Sequence, residues 1–165
     1  MDKKDLQNPA LYTNRELSWL LFNKRVLSEA RDKQLLLFER LKFLSITASN
    51  LDEFFMVRIG SLVDMIHAEY TKKDIAGMSA KEQLDALMEE THKFAALQYS
   101  TYNRMLLPQL RANGLNFVEH HEQLTERQAQ YVDEYFEENV YPVLTPMAVD
   151  SSRPFPLIRN KTLNI

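Results

Sequence analysis

The sequence predicts a mainly α protein, a bundle of long helices followed by the incomplete start of an α/β region. Three observations carry this. The chain has only three glycines and six prolines in 165 residues, too few for the turns of a β-sandwich. Hydrophobic residues make up 45% and aromatic residues 10%, enough to bury a core. Apolar side chains recur near every 3.6 residues through most of residues 15–112, the period of a half-buried helix.

Composition also excludes classes. The net charge is −3 and the isoelectric point about 5.8, so no global basic field speaks for nucleic-acid binding. Absence of cysteine removes disulfides and thiolate chemistry and fits a reducing cytoplasm. No apolar run approaches the roughly 18 residues of a membrane span, and the first residues lack a signal-peptide core. Peripheral membrane association is left open.

Residues 1–12 read as a polar arm. Thr13 or Asn14 can cap a first helix whose opening turn carries Glu16, a charge suited to the positive end of the dipole. Leu17, Leu20, Leu21, Lys24 and Leu27 follow at helical spacing, widened by Trp19, Phe22 and Val26. A second helix is predicted over about 35–47, with Leu37, Leu41, Leu44 and Ala48 inward and Glu39, Arg40 and Lys42 in solvent. Thr47-Ala48-Ser49-Asn50 then reads as a polar hinge. Ser49 with Asp52, or Asn50 with Glu53, resembles a capping box opening a third helix to about residue 70. Gly60, inside that helix, suggests a close helix crossing. Ser79-Ala80-Lys81-Glu82 opens a long fourth helix to about residue 112, bent at Pro108 and stopped by Asn113-Gly114.

Beyond Gly114 the pattern changes. Residues 115–118 look like a short strand, Thr125 caps a helix ending near Val140, and four prolines follow between Pro142 and Pro156. Residues 161–165 begin a β-like alternation that needs partners, so the chain is expected to continue. The division predicted is 1–113 and 114–165.

Most catalytic signatures are missing. There is no G-x-G-x-x-G, Walker loop or H-E-x-x-H. His120-His121 beside Glu119 and Glu122 could suggest a metal, but adjacent loop residues diverge, and a solvated loop is the stronger reading. Asp52 and Glu53 lie about 100° apart on a helix and do not converge. Phe54, Phe55 and Met56 read as core rather than a base platform. Asn50 is the one ambiguous group. Its amide could cap the helix, which residue physics alone favours, or could meet the N6/N7 edge of an adenine.

LYTNRELSWLLFNKRVLSEARD, LLLFERLKFLSITASNLDEFFMVRIG and YPVLTPMAVDSSRPFPLIRNKTLNI together resemble the beginning of a bacterial polyphosphate kinase of the large, histidine-phosphorylating type. The resemblance spans nearly the whole chain. It implies a helical N-terminal domain and the start of a head domain, from an enzyme that reversibly transfers the terminal phosphate of ATP to polyphosphate through a phosphohistidine, with Mg2+. The phosphorylated histidine, the metal ligands and the phosphate-gripping arginines would lie outside this segment. No catalytic residue is therefore expected here, and the segment alone should be inactive. Asn50 carries over as an ATP contact on the adenine side. Ser49, Asp52, Glu53 and Arg58 would support its loop without ligand roles. The resemblance also implies a homodimer through the N-terminal and head regions. A stand-alone helical interaction module without nucleotide binding is the alternative.

Overall fold

The computed structural model describes residues 5–147, 149–152 and 154–164 and divides into two units, Met1–Asn116 and Phe117–Ile165. In the first unit the helices are α1 (Arg15–Arg31), α2 (Leu37–Phe54), α3 (Gly60–His67), α4 (Ala80–Thr101) and α5 (Leu107–Ala112). A single π turn, Phe55–Ile59, joins α2 to α3, and another, Tyr102–Leu106, joins α4 to α5. The unit is thus three helical rods, with α1 packed against both others.

Local chemistry explains where two of the three rods begin. Asn14 is the α1 cap: its Oδ1 accepts from the N–H groups of Glu16 (3.0 Å) and Leu17 (2.9 Å), two of the donors a helix start leaves orphaned. Its Nδ2 donates to Asp74 Oδ2 (2.7 Å) and Gln83 Oε1 (2.9 Å), so one buried amide ties α1 to the 68–79 connection and to α4. Ser79 and Glu82 form the capping box of α4. The Ser79 N–H and hydroxyl both donate to Glu82 and, with the charge of Lys73, hold its carboxyl below the ordinary value.

Two of the three rods stop in the same way. After α3, Glu69 N–H bonds to Ile66 O and Tyr70 N–H to Met65 O, with Glu69 at φ 52°. After α5, Gly114 N–H bonds to Arg111 O and Leu115 N–H to Leu110 O, with Gly114 at φ +82°. Both are Schellman closures. Glycine is suited to that left-handed position, and glutamate is not.

The hinge expected at residues 47–50 does not exist. Neither Ser49 nor Asn50 is a cap; both lie inside α2. Leu44, Leu51 and Phe54 continue one inward stripe across the stretch, so a break there would put apolar surface into water. Buried Thr47 satisfies its hydroxyl by donating to Leu44 O at 2.7 Å, and helices accept threonine on those terms.

Two further expectations are corrected. A Cβ on Gly60 would meet only Phe55 O, at 3.8 Å, so no close helix crossing requires the glycine. It follows the π turn, where its N–H bonds to the carbonyl five residues back, Phe55 O. Arg40, assigned to solvent, is buried. Its Nε donates to Ala30 O (3.0 Å) and its Nη1 to Gln109 Oε1 (3.0 Å). Carbonyls in the last turn of α1 lack intrahelical donors and favour a cation, which draws the guanidinium inward. Pro108 has no N–H to continue the helix ladder, and the π turn just before it absorbs the interruption.

The core has two connected regions. Leu20, Phe54, Ile59, Leu62 and Leu87 fill one, and Leu27, Ala30, Leu44, Phe94 and Leu106 the other. In the second unit, Thr125 caps α6 (Glu126–Tyr135), which continues through a π turn to Val140. Residues 115–118 form no strand, and no strand exists among the described residues to pair with them. None of the described residues of this unit is buried; Leu157 and Leu163 are 96% and 91% exposed.

Candidate functional site

A cleft of about 240 Å³ opens where α1 faces the end of α2 and the π turn after it, lined by Trp19, Phe22, Asn50, Glu53, Phe54, Val57 and Arg58. Trp19 stacks on Phe54 with ring centroids 4.4 Å apart and planes 11° apart, which anchors the wall in the core. Phe22 and Val57 stand exposed at the rim. Among sequence-stretch candidates, Asn50, Glu53 and Arg58 come together here, whereas Ser49 and Asp52 do not line the cleft.

The π turn matters to this arrangement. It adds a residue to the helical repeat, so Phe54 and Ile59 both face the core while Val57 and Arg58 reach the cleft. Arg58 Nε lies 3.9 Å from Glu16 Oε2, and Glu16 also pairs with Arg15 at 3.0 Å. Arg58 itself is about half-exposed, its side chain at 47%, and at 3.9 Å its pair with Glu16 is a long one.

Asn50 is half-buried. Its Nδ2 donates to Asn23 Oδ1 at 3.1 Å, and Asn23 Nδ2 donates to Thr47 O at 3.1 Å. Gln98 Nε2 reaches Thr47 Oγ1 at 3.0 Å, so the polar chain runs from α4 through α2 and α1 to the cleft. The remaining N–H and the Oδ1 of Asn50 make no hydrogen bond among the described residues. Asparagine is a mediocre residue inside a helix, and Asn23 gives it a reason to be there. Asn23, Thr47 and Gln98 escaped sequence reasoning as site residues.

A second cleft of about 270 Å³ lies between α1 and α4, lined by Leu17, Leu20, Leu21 and Phe94 with Lys24 and Glu90 at its edge. It lacks convergent polar groups to orient a small ligand. The His120-His121 loop gathers no metal set; His121 Nε2 instead pairs with Asp133 at 3.1 Å in solvent. Among the described residues, no three histidine, aspartate or glutamate side chains come together to hold a metal.

The cleft can thus present an apolar wall to a flat ring, an amide to its edge, and a cation nearby. Comparison with known proteins bears on what the segment is. The family model described as the polyphosphate kinase N-terminal domain matches residues 12–118, and that of the polyphosphate kinase middle domain matches residues 127–165. The chain belongs to the polyphosphate kinase family. It is 53% identical over 154 residues to a polyphosphate kinase of Lactiplantibacillus plantarum, covering 93% of this chain and 21% of that protein. To a polyphosphate kinase of Halalkalibacterium halodurans it is 48% identical over 162 residues, covering 98% and 23%. The crystal structure of polyphosphate kinase from Porphyromonas gingivalis superposes with a TM-score of 0.70 at 31% identity, covering 89% of this chain and 20% of that one. The chain therefore spans about a fifth of the length of these polyphosphate kinases, as their N-terminal region. No described helix is long and apolar enough to cross a membrane.

Proposed function

We propose that this chain acts as the N-terminal segment of an enzyme that moves the terminal phosphoryl group of ATP reversibly onto polyphosphate. In that reading ATP phosphorylates a histidine outside the segment, releasing ADP, and the phosphohistidine then passes its phosphoryl group to the end of the polymer. The segment's share is binding. Asn50 contacts the adenine edge and, by itself, the segment has no kinase activity. Mg2+ would be held by ligands beyond the segment.

One observation carries the nucleotide reading: the Asn50 amide lines an open cleft with an acceptor and a donor uncommitted. An amide of that kind matches the paired donor and acceptor of adenine. The capping alternative would have engaged the oxygen with backbone N–H groups, and α2 has no start at that position. In the full-length enzyme, Asn50→Ala should raise the KM for ATP about 10-fold, the worth of a hydrogen bond to substrate, with the fold retained by circular dichroism. An unchanged KM in the folded variant would refute the contact.

The exposed apolar side chains of both units, Leu36 and Phe38 in the first and Leu157 and Leu163 in the second, support a role in homo-oligomer contacts or in packing against the rest of the enzyme.

A further inference from the structure

We infer that Asn23 is a positioning residue that sets which way the Asn50 amide faces, and so makes the cleft select a 6-amino purine over a 6-oxo purine. This rests on the reading of Asn50 as an adenine contact and adds to it the origin of base selectivity.

The argument begins from a backbone carbonyl. Thr47 O can only accept, so the end of the Asn23 side chain that lies 3.1 Å from it must be the NH2. The other end of the Asn23 side chain is then its Oδ1, which can also only accept. Whatever lies opposite must donate, and that is Asn50 Nδ2 at 3.1 Å. Asn23 is fully buried, so water cannot relieve a wrong pairing, and an acceptor facing an acceptor there would be strongly disfavoured. Two amide orientations that would otherwise be interchangeable are each forced.

The consequence falls in the cleft. With one N–H of Asn50 held by Asn23, the Oδ1 cannot take that place and is left, with the remaining N–H, for a ligand. A 6-amino group opposite that oxygen donates to it. A 6-oxo group would set acceptor against acceptor beside Trp19, Phe22 and Phe54. Were Asn50 free to rotate, its amide could serve either base equally. The buried partner, which does not line the cleft, removes that freedom.

The experiment uses the full-length enzyme and compares KM for ATP and for inosine triphosphate, which differ at the 6-position. Wild type should show a KM at least about 10-fold lower for ATP, as sites built around a hydrogen bond reject the mismatched analogue. Asn23→Leu removes the acceptor facing Asn50, and Asn23→Ser withdraws it by shortening the side chain. Either variant that folds should bring the two KM values to within about threefold, through a change in KM larger than that in kcat. A merely structural role for Asn23 would lower activity with both nucleotides alike. Equal KM values in wild type, or an undiminished preference in a folded Asn23 variant, would overturn the inference. If Asn50→Ala raises the KM for ATP while wild type does not discriminate, the nucleotide contact stands and only the orientation argument falls. If Asn50→Ala changes nothing, the contact itself is wrong.

Discussion

Asn14 concentrates more structural linkage than any capping role requires, and its removal is a quantitative test of the bundle. Its Oδ1 caps α1, while its Nδ2 donates to Asp74 and Gln83. Asn14→Ala removes the cap, worth about 1 kcal/mol. It also strands the Gln83 carbonyl, only 7% exposed, at about 1–3 kcal/mol for a buried acceptor without a donor. Asp74 is half-buried and can rehydrate, so it adds little. The sum is about 2–4 kcal/mol, a large share of the roughly 5–15 kcal/mol that holds a domain together. Asn14→Ser keeps an acceptor for the helix N–H groups but no donor for Gln83, and should recover only the cap's ~1 kcal/mol.

The assay is urea unfolding followed by tryptophan fluorescence. Trp19 is the chain's one tryptophan and stacks on Phe54 in the first unit's core, so the signal reports that unit alone. The midpoint should fall in the order wild type, Asn14→Ser, Asn14→Ala, with the slope unchanged. If Asn14→Ser is as stable as wild type, or Asn14→Ala loses less than about 0.5 kcal/mol, the size of an ordinary surface change, the bridging bonds contribute nothing and the reasoning fails.

Other expectations concern the glycines and the assembly. Gly60→Ala should stabilise by about 0.5–1 kcal/mol, because its site is helical and open and alanine is the better helix former. The same change at Gly114, where φ is +82°, should destabilise by about 1 kcal/mol. Two shifts of the same sign in urea melts would contradict this account of the helix interior and its end. The full-length enzyme should sediment as a dimer or larger species; a monomer at micromolar concentration would argue that the exposed apolar faces are covered within one chain.

How much of this was legible beforehand divides along a physical line. Caps and stops were readable at Thr13 or Asn14, Ser79–Glu82, Asn113–Gly114 and Thr125, because each is decided within about four residues of sequence. Much of the inward stripes was readable, at Leu20, Leu27, Leu44, Leu87 and Phe94, because periodicity belongs to the chain itself, whereas Leu21, Lys24 and Ala48, placed on those stripes, are exposed. The same local grammar misread residues 47–50. A serine and an asparagine there look like a helix start, yet Leu44, Leu51 and Phe54 carry one buried face straight through, and burying that face outweighs a capping preference of about 1 kcal/mol.

The polar residues of the interior were decided by tertiary structure alone. Arg40 and Asn23 are polar letters that periodicity assigns to water, and each is buried because a partner stands opposite: Ala30 O and Gln109 for the first, Thr47 O and Asn50 for the second. Those partners lie from 10 to 69 residues away along the chain, beyond the reach of any local pattern. The amino-acid sequence alone determined that this protein would be helical and where most of its helices would begin, and it left Asn50 ambiguous. Only the packing of α1 against α2 decided what that asparagine faces, since the direction of an amide is set by the donor or acceptor placed across from it.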